Sequence, residues 1–105
     1  MIDTNDPKNK AETAVLIGLV TDDQNADQVM EYLDELEFLA TTAGITTLKR
    51  FTQKLHKPEG RTYIGSGKLA EVKAWMEEHG AQSVIFDDEL TPAQQRNLEK
   101  ELGKP

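Results

Sequence analysis

The residues RTYIGSGKLAEV, at positions 61–72, combine glycines, a serine and a lysine at a spacing that could bind phosphate. A P-loop has the pattern G-x-x-x-x-G-K-[S/T], in which backbone amides and the lysine hold the phosphates. Gly60 and Gly65 have that separation, but Ser66 stands where the lysine is required. The dinucleotide pattern G-x-G-x-x-G, begun at Gly65, has Ala70 at its last position and follows the second predicted strand instead of the first. The sequence therefore disfavours a nucleotide-binding loop of either kind.

The same stretch predicts the start of a helix. Gly65, Ser66 and Gly67 precede a helical pattern, where Ser66 could cap the first turn and Lys68 adds a positive charge. Because the first amides of a helix have no intrahelical partner and that end is positive, it can accept a phosphate, including one of an RNA backbone. Ordinary N-terminal capping, with glycines for tight packing, accounts for the same residues equally well.

This stretch belongs to the basic part of an acidic protein. The 105 residues have a formal net charge of −7, which is unfavourable for nucleic-acid binding. Residues 49–68 nevertheless hold six basic residues and one acid, a net charge of +5. The six are Lys49, Arg50, Lys54, Lys57, Arg61 and Lys68. Such a segment can attract phosphate locally, although a solvated strand and loop with ordinary lysines is the alternative.

A second candidate is the acidic pair in FDDEL, at 86–90. Asp87 and Asp88 follow a predicted strand, at the end where α/β sheets place their sites. Two carboxylates could bind magnesium or exchange protons, but no histidine or nucleophile accompanies them, so a solvated acidic turn is the simpler interpretation. Arg96 could contact a partner or only water. The chain has no cysteine, which excludes disulfides and thiolate metal sites.

Three strands and three helices are predicted to position these residues. The expected elements are a strand at 13–20, a helix over 29–43, a strand with a possible bulge at 45–55, a helix over 69–79, a buried strand at 83–87 and a helix capped by Thr91. This alternation predicts an α/β fold, a small three-layer domain with a short parallel sheet of strand order 2-1-3. Residues 1–12 are expected to be a disordered lead-in, and 13–105 to be the domain. A fourth strand beside the third is expected to be missing by truncation.

Three stretches resemble one known family. YLDELEFLATTAG, FTQKLHKPEGRTYIGSGKLAEV and VIFDDELTPAQQRNLEKELG are similar to the N-terminal domain of the HflX family of ribosome-associated GTPases, over residues 14–103. The resemblance implies that a helical hairpin and a GTPase domain follow, and that GTP and magnesium bind there. It implies no cofactor, catalytic residue or metal ligand in this part, and the full-length protein is expected to be a cytoplasmic GTP hydrolase. The implied partner is the large ribosomal subunit, which some members split under stress.

The first functional hypothesis is therefore an rRNA-contacting domain. Its phosphate-contact candidates are Lys49, Arg50, Lys54, Lys57, Arg61, Gly65, Ser66, Gly67 and Lys68, with Asp87, Asp88, Arg96 and Asn97 as secondary candidates. Two alternatives remain open. The first is an ATP-binding domain that uses the helix start together with the acidic pair. The second is an intramolecular regulator that docks on the hairpin and GTPase domain.

No apolar run is long enough for a membrane span.

Overall fold

The computed structural model describes residues 12–103 as an alternating series of strands and helices. The elements are β1 (Glu12–Val20), α1 (Ala26–Thr42), β2 (Ile45–Lys54), α2 (Ser66–His79), β3 (Ser83–Phe86) and α3 (Pro92–Leu102). The strands form one parallel sheet in the order β2-β1-β3, which confirms the predicted fold class and strand order. Of the predicted disordered lead-in at 1–12, only Glu12 is described, and it already belongs to β1; the rest lies outside the described residues.

The central strand β1 divides the core into two parts. Val15, Ile17 and Leu19 are buried against residues of α2 and α3, whereas Leu16 is buried against α1. The continuous apolar run of β1 follows from this position, because both of its faces are covered by helices. The domain thus has three layers, with α1 on one face of the sheet and α2 and α3 on the other.

A glycine in the middle of β1 allows α1 to lie close to the sheet. A Cβ atom built on Gly18 would lie 2.5 Å from Cγ1 of Val29 and 3.0 Å from Cδ1 of Leu33. Real Cβ atoms do not approach other atoms that closely, so a side chain at this position would push the helix away. The sequence pattern alone did not indicate this role of Gly18.

The predicted irregularity in β2 is a β-bulge. Thr47 pairs with Ala14 and Lys49 pairs with Val15, so Leu48 is an extra residue without a partner in β1. A bulge changes which residues of a strand face each side of the sheet. The bulge therefore determines on which face of the sheet each basic side chain of β2 lies.

The third strand is less buried than predicted. All four residues of β3 are only half-buried, because β3 is an edge strand with β1 on one side only. The predicted capping box of α3 is confirmed: Thr91 accepts from the backbone N–H of Gln94, and the Gln94 side chain accepts from the N–H of Thr91. None of the helices within residues 12–103 has the length and apolar character needed to cross a membrane.

Candidate functional site

The connection from β2 to α2, residues 55–65, is an ordered turn that packs into the domain. Glu59 and Tyr63 exchange two backbone hydrogen bonds of 3.0 and 2.9 Å. The hydroxyl of Thr62 donates to the carbonyl of Ile64 at 2.9 Å, and residues 62–64 are buried. We call residues 55–65 the basic loop, since Lys57 and Arg61 lie in it. Its middle is fixed by its own backbone and by burial.

Helix α3 holds the basic loop from one side. The side-chain amide of Gln94, besides closing the capping box, donates to the carbonyl of Glu59 at 2.8 Å. One turn later, the Asn97 side chain donates to the carbonyl of Arg61 at 3.1 Å. The Arg61 guanidinium also pairs with Glu101 at 2.7 Å. Asn97, a secondary candidate for partner contact, is thus engaged within the domain, whereas the neighbouring Arg96 is exposed.

The buried carboxylate of Asp87 holds the other side of the loop. Its side chain is only 4% exposed and lies at the carboxyl end of β3. One oxygen accepts from the backbone N–H of Leu19 at 3.1 Å and from the Gln24 amide at 2.9 Å. The other oxygen accepts from the Tyr63 hydroxyl at 2.9 Å. Both oxygens are therefore used by protein donors, and one side chain joins the ends of β1 and β3 to the basic loop.

The two adjacent aspartates lie in different surroundings, Asp87 buried and Asp88 exposed. Asp88 is exposed, and its carboxylate accepts from the backbone N–H of Glu89 at 2.7 Å. Across residues 12–103, no group of three or more histidine, cysteine or acidic side chains is arranged to hold a metal ion. Asp87 contributes to the structure of the domain, and Asp88 is a solvated turn residue.

Tyr63 occupies a strained position beside Asp87. Its backbone φ is 71°, in the left-handed region that non-glycine residues rarely adopt. Its ring packs edge-on against Phe86, with the ring centroids 5.5 Å apart. Burial of the phenol, together with the negative charge of Asp87, raises the pKa of Tyr63 far above its ordinary value. The hydroxyl therefore remains a hydrogen-bond donor to Asp87 throughout the neutral and mildly alkaline range.

The raised pKa of Tyr63 predicts a loss of stability in alkali. Above about pH 10, the usual pKa of tyrosine, the unfolded chain releases the phenolic proton while the folded domain keeps it. The free energy of unfolding should therefore fall as pH rises from about 10, by up to ~1.4 kcal/mol per pH unit from this group. Tyr63→Phe should be less stable at pH 8 but should show a shallower fall. Urea unfolding at a series of pH values measures both the stability at pH 8 and the fall with pH.

Tyr32→Phe serves as the control, because it removes the only other tyrosine. An equal change of the pH slope in the two variants would contradict the prediction.

The six basic candidates are less free than the sequence suggested. Arg50 pairs with Asp34 at 2.8 Å and with Glu37 at 2.9 Å, and the hydrogen bond to Asp34 leads the interactions that raise the pKa of Arg50. Lys68 pairs with Glu71 at 3.2 Å. With Arg61 paired to Glu101 as well, half of the candidate cations are already matched by carboxylates of the helices.

Lys49 and Lys54, two of the three remaining lysines, lie on different faces of the sheet. The Nζ atom of Lys49 lies 5.4 Å from the ring centroid of Phe51 and 5.8 Å from that of Trp75, on the α2 side. Lys54 instead lines an open hollow of about 540 Å³ that includes Ala26 at the start of α1. Within the part of the chain that the structure describes, Lys54 and Lys57 have no carboxylate partner.

The start of α2 differs from the prediction in its cap. Gly65 is the N-cap residue and Ser66 is the first helical residue, with no side-chain cap hydrogen bond. The prediction that Ser66 caps the helix is therefore wrong. The N–H of Gly65 donates to the Gln53 side chain at 2.8 Å, which fixes the entry into the helix. Gly67 is exposed, and a Cβ atom there would meet nothing, so packing within the domain gives no reason for a glycine.

Several residues that shape this region were not identified from the sequence. Gln24 and Gln53 have no local pattern that sets them apart, because their partners lie far away in the chain. Gln94 was identified as a capping residue, but its second contact, to Glu59, also depends on the fold. The capping-box pattern in the sequence does not indicate that the Gln94 side chain also donates a hydrogen bond to a residue outside its helix.

Residues 30–105 match the family model described as GTP-binding GTPase N-terminal. The chain belongs to this family. A GTPase HflX of Flavobacterium psychrophilum is 46% identical over 89 residues, which cover 85% of the chain and 22% of that protein. A GTPase HflX of Escherichia coli K12 is 36% identical over 95 residues, 90% of the chain and 22% of that protein. The predicted membership of the HflX family is thereby confirmed.

The match extends over only part of the HflX proteins. The chain spans 22% of the length of these two relatives and 16% of a GTPase HflX of Chlamydia pneumoniae, to which it is 46% identical over 76 residues. In this HflX N-terminal domain, the stretches that carried the resemblance contain both sides of two of the contacts that hold the basic loop. Tyr63 with Asp87, and Gln94 with Glu59, join the glycine-rich stretch to the FDDEL stretch and α3. These residues thus have a structural role in shaping the basic loop.

Proposed function

We propose that this domain contacts the rRNA of the large ribosomal subunit as part of a cytoplasmic GTP-hydrolysing HflX protein. The name GTPase HflX, borne by the relatives, supports GTP hydrolysis by the whole protein. GTP and magnesium would bind to another domain, since the glycine-rich stretch here departs from the P-loop pattern at Ser66. The role of the domain would be to position the protein on RNA.

The open first turn of α2 is the observation that carries this proposal. Ser66 and Gly67 are exposed there, and the absence of a side chain at Gly67 leaves the backbone amides accessible. Helix N-terminal amides bind phosphate groups well, because they are unpaired and lie at the positive end of the helix dipole. The nearby ion pair between Lys68 and Glu71 is at the surface, where such pairs contribute about 0–1 kcal/mol. A phosphate can therefore replace Glu71 as the partner of Lys68.

Lys54 and Lys57 would add two further phosphate contacts. Both are exposed and lack a carboxylate partner within residues 12–103, so binding would break no existing pair. Arg50 would contribute less, because it would first have to leave two carboxylates, whereas the exposed pair of Arg61 with Glu101 could exchange for a phosphate as the pair of Lys68 could. The proposal thus reduces the original set of basic candidates to a few residues.

We expect the double variant Lys54→Glu/Lys57→Glu of the full-length protein to bind large subunits more weakly. The plot of log affinity against log salt should lose about one unit of slope for each phosphate contact removed. Sedimentation with purified large subunits at several salt concentrations measures both quantities. Lys73→Glu/Lys100→Glu makes the same charge change at exposed positions on α2 and α3 and serves as the matched control. Equal affinity and slope in wild type and the first variant would refute the proposed contacts.

The two alternative functions are affected differently by the geometry. The ATP-binding hypothesis used Asp87 and Asp88 as a pair, but Asp87 is buried and both of its oxygens accept hydrogen bonds from the domain. It is therefore the weaker candidate, and calorimetry with ATP would test it. Regulation of the GTPase domain stays a prediction, tested by GTPase rates with and without residues 1–105.

A further inference from the structure

One side of α1 exposes two large apolar side chains next to each other. Tyr32 is 49% exposed and Leu39 is 54% exposed. These two residues and Leu36, which packs at the edge of the buried cluster, follow the i, i+4, i+7 spacing and so share one side of the helix. We call these three residues the α1 strip. Large side chains exposed side by side, unlike isolated ones, mark interaction surfaces.

Carboxylates without a basic partner border the α1 strip. Asp23, Glu31 and Glu35 line a hollow of about 290 Å³ together with Tyr32. Within the described part of the chain, none of these three acids takes part in an ion pair. The strip therefore combines apolar contact area with unbalanced negative charge.

On the opposite side of α1, the acidic charge is partly offset by a basic residue of the sheet. There Arg50 pairs with both Asp34 and Glu37, at 2.8 and 2.9 Å, so one cation offsets half of the charge of two carboxylates. The same acidic helix thus has one side where a cation of the domain offsets part of the acidic charge, and one side where the acids have no cation partner within the described residues. An unbalanced field attracts ligands of opposite charge and repels those of the same charge. A nucleic acid would be repelled here, which separates this surface from the proposed RNA contact.

We infer that the α1 strip is a docking surface for a basic amphipathic segment of a partner protein. The apolar side chains of such a segment would cover Leu36 and Leu39. Its arginine or lysine side chains would pair with Glu31 and Glu35, and an arginine could also stack on the Tyr32 ring. Helix-in-groove recognition uses this combination, in which apolar anchors provide affinity and charges set the orientation.

The test uses the 105-residue chain and synthetic peptides. The probe is an amphipathic helical peptide of leucine and arginine, and its control is the same peptide with glutamate in place of arginine. Titration calorimetry should show one site for the arginine peptide and none for the glutamate peptide. Tyr32→Ala should weaken binding about tenfold, as expected for an aromatic anchor at a protein interface. Met30→Ala removes a 45% exposed side chain on the other side of α1, away from the strip and from Glu31 and Glu35, and should change affinity less than about twofold.

The charge contribution is tested separately. Glu31→Gln/Glu35→Gln should weaken binding and reduce its salt dependence, because two of the attracting charges are lost. Glu77→Gln/Glu78→Gln makes the same change at exposed positions of α2 and should have no such effect. Equal losses in the two pairs of variants, or unaltered binding by Tyr32→Ala, would overturn the proposal. Self-association of the chain that Tyr32→Ala abolishes would also overturn it, since the occupant would then be a second copy.

Discussion

Replacing Asp87 with alanine should lower the free energy of unfolding by about 3 kcal/mol, because buried donors would lose their acceptor. The Leu19 amide and the Tyr63 hydroxyl both donate to this carboxylate in the interior. Each buried donor left unpaired costs about 1–3 kcal/mol. Gln24 lies nearer the surface and can turn towards water, so its share should be smaller. Urea unfolding followed by circular dichroism gives the free energy directly.

The neighbouring aspartate provides the matched control. Asp88→Ala makes the same chemical change one residue later, where the side chain is exposed and accepts only the N–H of Glu89. Its effect should stay within about 0.5 kcal/mol, as is usual for surface substitutions. If the two variants unfolded at the same urea concentration, Asp87 would not have the role assigned to it.

Two glycines should respond to alanine in opposite directions. Gly18→Ala should destabilise the domain by about 2 kcal/mol, since the new methyl group would overlap Val29 at 2.5 Å. Val29 is β-branched and has few alternative rotamers, so α1 itself has to shift. Gly67→Ala should instead stabilise the domain by about 0.5 kcal/mol, because α2 gains helix propensity and the site is open.

The steric explanation for Gly18 can be checked by shortening the side chain that the new methyl group would overlap. Val29→Ala in the Gly18→Ala background should recover part of the lost stability, although Val29→Ala alone destabilises the core. Strictly additive effects of the two changes would argue against steric overlap. For Gly67, the decisive comparison is between stability and binding to large subunits. If Gly67→Ala is more stable but binds less well, the weaker binding comes from the altered contact surface and not from loss of the fold.

The order of the elements could be predicted because it follows from local patterns, whereas the strand order, although correctly expected, depends on pairing between distant segments. The apolar run of β1, the β-branched β2 with its bulge, and the Thr91 capping box are each contained within a few residues. The cap of α2 was assigned wrongly, since Gly65 and Ser66 are both acceptable cap residues and only the backbone decides between them.

The site was harder to predict because its contacts join distant parts of the chain. Asp87 bonds to Leu19, which is 68 residues away, and Arg50 finds two acids on α1. Counting charges along the sequence gave the basic segment its net +5, but the count cannot show that helices supply the compensating carboxylates. The burial of β3 was overestimated for a similar reason, since apolar residues occur equally in central and edge strands.

The attachment of the basic loop to Asp87 has a consequence for any ligand that meets it. Loops of this length ordinarily sample many conformations, and a partner that fixes them has to offset the lost conformational entropy. Here the loop is already held by Asp87, by Gln94 and by its own backbone pair. Most of that entropy is lost when the domain folds. The loop therefore meets its partner preorganised, and less of the binding free energy is consumed in ordering it.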